Sequence, residues 1–153
     1  MDANHKTIQR FYTAFQKLDY ATMQDCYADN ATFSDAVFLN LNAEETKAMW
    51  EMLCKRATDL RITFEVISVD EHSGSAKWKA VYTFNATGRK ITNNIHAAFE
   101  FTDGKISKHT DSFSFYTWAK QAFGTKGLLL GWLPFFKSKV RSGARKALRH
   151  FMR

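Results

Sequence analysis

His109 and Asp111 stand two residues apart in residues 104–118, GKISKHTDSFSFYTW, and share their parity with Phe113 and Phe115. Read as a strand that follows the Gly104 turn, this segment puts all four side chains on one face, because strand side chains alternate with a period of two. Two ionisable groups among rings on a half-buried face cost free energy unless they are paired, hydrated or used. The chemistry open to them is proton transfer. Aromatic surroundings disfavour the charged form of a carboxyl group and lift its pKa toward the range of a general acid or base, while a neighbouring imidazolium pulls it down. Asp111 is read as the group that exchanges a proton with substrate. His109 would orient it or stabilise developing charge, and Asp35, at the end of a short strand, would be a second acid/base. The bland alternative makes Asp35 a turn residue bonding its own backbone, and His109 and Asp111 a structural pair.

A His-x-Asp pair could also belong to a metal triad of two histidines and one carboxylate. The third ligand would have to be His96 or His72. His96 has the wrong parity for the apolar face and His72 falls in a turn, so no metal is expected. Gly124, Gly127 and Gly131 match neither a dinucleotide nor a phosphate-loop spacing, and no cofactor is expected either.

The elements that must position these groups are legible in the periodicity. Ile8, Phe11, Tyr12, Phe15 and Leu18 give an amphipathic first helix over residues 4–17. A short second helix is read through Tyr20, Met23 and Tyr27, then a brief strand over residues 31–34. Asn42 with Glu45 has the spacing of a capping box and starts a third helix at Ala43, with Met49, Trp50, Leu53 and Ala57 on its apolar face. From Leu60 the period changes to two, and turns at residues 72–74, 85–88 and 103–104 separate four long antiparallel strands. Three helices followed by such a meander are an α+β arrangement, a curved antiparallel sheet with one face covered by the N-terminal helices. Phe15, Phe33, Trp50, Tyr82, Asn93 and Phe113 are expected to line a ligand pocket between the two layers.

The last strand contains an inconsistency. Pairing across a two-residue Asp103-Gly104 turn sets Phe101 opposite Ile106, both inward, which would leave the odd-numbered His109, Asp111 and Phe113 facing out. A β-bulge between Ser107 and Thr110 is therefore required to turn them in.

Composition bounds the rest. At 153 residues the chain fits one domain, and an aromatic content of 15% with 14 phenylalanines implies an interior rich in rings. Nine of the positive charges behind the net charge of +7 fall after Asp111, where there is no acid, leaving the first 111 residues at −2. Residues 1–118 are read as the domain, and residues 119–153 as a basic amphipathic helical extension packed on it. Phe136, Val140, Ala144, Leu148 and Phe151 form the stripe that would dock. Contact of this arm with an anionic membrane surface is a second reading; nucleic acid is not expected, because the body lacks a basic patch. Cys26 and Cys54 have no motif spacing and, with a polar N-terminus, suit a reducing, cytoplasmic setting.

FYTAFQKLD (residues 11–19) with YADNATFSD (27–35), and FEFTDGKISKHTD (99–111), resemble the opening signature and closing hairpin of the SnoaL-like polyketide cyclases and ketosteroid isomerase-like proteins of the nuclear transport factor 2-like superfamily. The resemblance covers residues 5–118 and implies a cone-shaped α+β fold, a small apolar ligand and a homodimer formed through the exposed sheet face. It also implies a cofactor-independent acid/base enzyme of isomerase, cyclase, dehydratase or epoxide hydrolase type, or alternatively a non-catalytic carrier of a hydrophobic ligand. Asp35 matches the general base of the isomerase. The positions of that enzyme's two oxyanion donors carry Ala14 and Ala97, so steroid isomerisation by that route is not expected. Asp111 resembles the acid/base Asp of the SnoaL-like cyclases.

Overall fold

The computed structural model describes residues 2–153. Helices α1 (Ala3–Gln16) and α2 (Tyr20–Asp25) lead into strand β1 (Tyr27–Ser34) and helix α3 (Ala43–Arg56). Strands β2 (Arg61–Val69), β3 (Ser73–Phe84), β4 (Arg89–Thr102) and β5 (Lys105–Ser112) follow, and helices α4 (Phe115–Phe123), α5 (Thr125–Leu130) and α6 (Pro134–Phe151) complete the chain. The strands form one open sheet in the order β1-β5-β4-β3-β2. β2 to β5 are antiparallel neighbours, and β1 adds a parallel edge beside β5. The fold is α+β with a five-stranded mixed sheet.

Local chemistry sets the element ends. Asn42 Oδ1 accepts from Glu45 N at 2.8 Å while Glu45 Oε1 accepts from Asn42 N at 3.0 Å, so the capping box fixes the start of α3. Asp103 and Gly104 both adopt positive φ, 51° and 75°, as a two-residue hairpin turn requires. Phe101 then pairs with Ile106, but Glu100 pairs with Lys108, which leaves Ser107 as the extra residue of a bulge. Beyond it Phe99 pairs with His109 and Ala97 with Asp111, and all four are buried. The parity change thus occurs at Ser107, the first residue of the expected interval.

Two element boundaries differ from the periodic reading. Tyr27 opens β1 rather than closing α2, because α2 ends at Asp25 and the chain is extended from residue 27. β5 ends at Ser112 instead of running to residue 118: Ser114 Oγ accepts from Thr117 N at 3.2 Å and starts α4, so an N-cap overrides the apolar alternation there. Phe115 consequently leaves the face of Asp111 and packs in a second cluster with Ile91, Trp118, Ala119, Ala122 and Phe136. The division placed at residue 118 falls inside α4.

The arm lies against the body. Leu148 is 1% exposed within the main core. Arg141 Nε donates to the Ala36 carbonyl at 2.9 Å, and Arg145 reaches the Leu39 carbonyl at 3.0 Å and Glu45 Oε2 at 3.3 Å. The main core is layered with aromatic rings: Phe11, Phe15 and Phe33 all meet Trp50 edge-on with centroids 5.2 to 5.6 Å apart. Such contacts add about 0.5–1.5 kcal/mol each beyond the area they bury. Cys26 and Cys54 are free and buried, and burial pushes both thiols up to about 11.

Candidate active site

A cavity of about 530 Å³ lies between the sheet and the helices. Its wall is apolar except where a few polar side chains enter it, among them Asp35, Asp111, Asn93 and Tyr82. The two carboxyl groups arrive from adjacent strands. In the parallel register of β1 and β5, Phe33 pairs with His109 and Ser34 with Thr110. Asp35 and Asp111 come next along the chain, and parallel neighbours lie about 4.8 Å apart.

Each carboxyl group is held by one oxygen. Asp35 Oδ1 accepts from the backbone N–H groups of Val37 at 2.8 Å and Phe38 at 2.6 Å, the Asx-turn pattern of a strand-end aspartate. Asp111 Oδ1 lies 2.8 Å from His109 Nε2 and accepts from Trp78 Nε1 at 3.4 Å. Among the described residues, no donor bonds Oδ2 of either group. Burial is the largest influence on Asp35 and raises its pKa to about 6; the Val37 and Phe38 N–H bonds and His109 oppose that rise, and the charge of Asp111 adds to it.

His109 is fully buried and stands behind Asp111, away from the cavity wall. Its Nδ1 lies 2.8 Å from Tyr27 Oη, which in turn accepts from Trp50 Nε1 at 2.8 Å. Counting donors assigns the tautomer. Trp50 can only donate, so the single phenolic proton of Tyr27 goes to Nδ1, and the imidazole proton on Nε2 goes to Asp111. Burial, the leading influence on Tyr27, holds its pKa well above the ordinary tyrosine value and keeps it a neutral donor. The result is a directed chain, Trp50 to Tyr27 to His109 to Asp111, which ends at the cavity. Its imidazole is enclosed by rings, with Phe99 at 4.4 Å and Phe33 at 4.9 Å between centroids.

Of the residues expected to line a pocket, Phe15, Trp50, Tyr82, Asn93 and Phe113 do so. Phe33 does not. It pairs with His109 in the β1–β5 register, one rung below the carboxyl groups, and its ring packs edge-on against the imidazole. His96 and His72 are both exposed and distant from this site by topology, His96 on the outer face of β4 and His72 in the turn before β3. Among the described residues, no three or more His, Cys, Asp or Glu side chains form a metal-binding group. Ala97 lies opposite Asp111, and Ala14 is buried on α1; neither lines the cavity nor carries a donor side chain.

The periodic reading misses Tyr27 and Trp78, which fix His109 and Asp111. Tyr27 has even spacing to Phe33 and Asp35, which would mark it as inward once its segment is recognised as extended. It also misses that the C-terminal helices supply cavity wall: Trp118 and Phe123 of α4 and Val140, Gly143, Ala144 and Ala147 of α6 all border the cavity. No sequence signal identifies those contacts, because the helix stripe is equally consistent with packing on a solid core.

A family model described as the SnoaL-like domain matches residues 8–109. No curated protein matches the chain in sequence. Among solved structures, a candidate polyketide cyclase from Silicibacter sp. TM1040 is 19% identical with a TM-score of 0.68, covering 78% of this chain and 94% of that one. An LEH-like epoxide hydrolase from M. tuberculosis is 18% identical with a TM-score of 0.62, covering 88% and 95%. An NTF2-like protein of unknown function from Burkholderia pseudomallei is 17% identical with a TM-score of 0.69, covering 81% and 100%. At these identities the structural likeness speaks for the fold, while the matched domain spans well over half the chain. The chain belongs to the SnoaL-like domain family.

Proposed function

We propose that this protein is a cofactor-independent acid/base enzyme acting on an apolar cyclic or carbonyl-bearing molecule, of isomerase, cyclase, dehydratase or epoxide hydrolase type. One observation carries the reading: two carboxyl groups on neighbouring strands, each anchored through Oδ1 and open at Oδ2, at the wall of an apolar cavity. Asp111 is the base, since its Oδ1 accepts from two side-chain N–H donors, His109 and Trp78, and its Oδ2 is left for the substrate. In an enolisation, Asp111 Oδ2 takes the proton from carbon next to the carbonyl, the C–H electron pair becomes the C=C bond, and Asp35 in its protonated form gives a proton to the carbonyl oxygen. His109 is a positioning residue in this scheme because it reaches the substrate only through Asp111. Trp50, Phe15 and Phe113 would hold the apolar body of the substrate, and Tyr82 or Asn93 a polar substituent.

A second reading, a carrier of a hydrophobic ligand, is supported by the predominance of apolar side chains on the wall, where Arg56, Thr58, Thr83 and Asn85 are the polar residues besides those named. Asp111→Asn distinguishes the two. The amide oxygen introduced by this substitution still accepts from His109 Nε2, so an enzyme keeps ligand affinity and loses turnover, whereas a carrier shows no turnover in either form. We further propose a homodimer through the exposed outer face of the sheet, where Lys77, Lys79, Asn94 and His96 lie; sedimentation of the intact chain tests it, and a monomer at micromolar concentration contradicts it.

A further inference from the structure

α5 reverses the usual placement of large and small residues. Its packed side carries Gly127 and Gly131, both buried against α4. A Cβ added at Gly127 would overlap the Ala119 carbonyl, and one at Gly131 would sit 3.0 Å from Ala119 Cβ and 3.2 Å from Tyr116 Cδ1. The helices therefore approach too closely for any side chain between them. Tyr116 Oη donates to the Leu128 carbonyl at 2.9 Å and pins the same contact.

With glycine on the inner side, the large apolar residues are left outside. Leu128, Leu129, Trp132 and Phe135 are 52%, 62%, 68% and 68% exposed, all within the corner where α5 passes into α6. Trp132 Nε1 donates to the Leu129 carbonyl at 3.0 Å, so the one polar atom of the indole is satisfied locally and the ring remains bare. Single exposed apolar residues are ordinary, but a contiguous set of this size on a fixed corner marks an interaction surface.

The charge around the corner identifies the partner. Lys126 and Lys139 flank it and are exposed, and residues 112–153 contain no acid at all. Leucines, a tryptophan and a phenylalanine flanked by two exposed lysines that form no ion pair among the described residues match an anionic lipid surface, where rings and alkyl groups enter the headgroup–acyl boundary and ammonium groups meet lipid phosphates. A second copy docking corner to corner would set two acid-free, lysine-bearing segments against each other. No helix among the described residues is long and apolar enough to cross a membrane, so the contact would be peripheral. The apolar stripe of α6 is already used on the body through Phe136 and Leu148, which leaves the corner, not the length of the helix, free to insert.

We propose that the α5–α6 corner docks the protein on anionic membrane surfaces, with Trp132 and Phe135 as the inserted anchors and Lys126 and Lys139 as the electrostatic collar. The docking stands apart from any reaction in the cavity, and it is tested without one.

Flotation of the full chain with vesicles of phosphatidylcholine alone, and of phosphatidylcholine mixed with phosphatidylserine, reads it directly. The expected result is binding to the mixed vesicles at least about tenfold tighter than to the neutral ones, weakening as salt is raised. Trp132→Ser/Phe135→Ser and Lys126→Glu/Lys139→Glu each lose that binding; all four sites are exposed and outside the core, so the fold remains. In a parallel measurement, brominated lipids quench wild-type tryptophan fluorescence, and Trp132→Phe loses that quenching. Absence of binding to the mixed vesicles overturns the proposal, as does equal binding by the double variants. A wild-type dimer that becomes monomeric in Trp132→Ser/Phe135→Ser also overturns it, because the corner is then the seat of a second copy.

Discussion

Asp35 and Asp111 stand side by side at the ends of two parallel strands: Ser34 pairs with Thr110 immediately before them, and both side chains border the same cavity. Like charges in neighbouring positions on an apolar wall cannot both be held cheaply, so the environments divide the roles. Asp111 is bonded by an imidazole N–H and an indole N–H. Asp35 has two backbone N–H groups, yet its pKa still lies at about 6 because burial outweighs them. Two carboxyl groups bonded so differently at one cavity wall can take different parts in a proton transfer.

The raised pKa of Asp35 is also a statement about stability. The folded state binds this proton up to about pH 6, whereas the unfolded chain releases it near pH 4. The contribution of Asp35 is therefore most favourable below pH 4 and is lost as pH rises through 6. Asn at position 35 can still accept from Val37 and Phe38, so Asp35→Asn should stabilise the protein at pH 8 by about 1–2 kcal/mol and change it little at pH 4. Urea unfolding at the two pH values checks this. If Asp35 donates the proton in turnover, kcat of the wild type falls as pH rises through about 6, and Asp35→Asn abolishes that limb.

Tyr27→Phe removes the hydroxyl that accepts from Trp50 and donates to His109. It strands a buried indole N–H and an imidazole Nδ1, which should cost about 1–3 kcal/mol in thermal or urea unfolding. The imidazole is then free to carry its proton on Nδ1, so a positioning role for the chain predicts a fall in kcat and a displaced pH profile with little change in KM. A purely structural role lowers stability and leaves the pH profile of the folded fraction in place.

Ala144 and Ala147 on α6 border the cavity, and a phenylalanine at Ala144 would occupy part of it. Ala144→Phe should lower the affinity of any apolar ligand by at least about tenfold with a stability change under about 1.5 kcal/mol, since the added ring fills open space rather than displacing packed atoms. Leu148→Ala acts differently. It empties a fully packed position of the main core and should cost about 2–5 kcal/mol, loosening the arm from α3. Titration calorimetry and unfolding curves separate the two effects.

Much of the site follows from strand parity. The Asp103-Gly104 turn fixes Phe101 against Ile106, and only an extra residue in β5 can then bring His109 and Asp111 inward, so a bulge between Ser107 and Thr110 is deducible from the sequence, while the register with β4 puts it at Ser107. The depth of a residue along that inward face is a different matter. Phe33 shares its parity with Asp35 but sits beneath the carboxyl groups, because the parallel β1–β5 register sets it against His109; a single strand's pattern carries no information about register with a distant strand. The arm shows the same limit. The amphipathic stripe of α6 announces that the helix packs on something, while the space left beneath Val140 and Ala144 depends on sheet curvature and on α4, which no local pattern encodes. The N-cap signal at Ser114 is present in the sequence, but alternating phenylalanines around it point to a continuing strand, and that pattern places Phe115 on the wrong element.

Proton exchange between Asp111 and a ligand in the cavity is the step on which the proposed chemistry turns. Its most direct measurement is deuterium incorporation from D2O, followed by mass spectrometry, into cyclic ketones and diketones that bind the protein. Wild type should incorporate deuterium next to the carbonyl, and Asp111→Asn should do so at least ~100-fold more slowly with unchanged ligand affinity. Bound ketones that acquire no deuterium with wild type, or the same rate in Asp111→Asn, would contradict it.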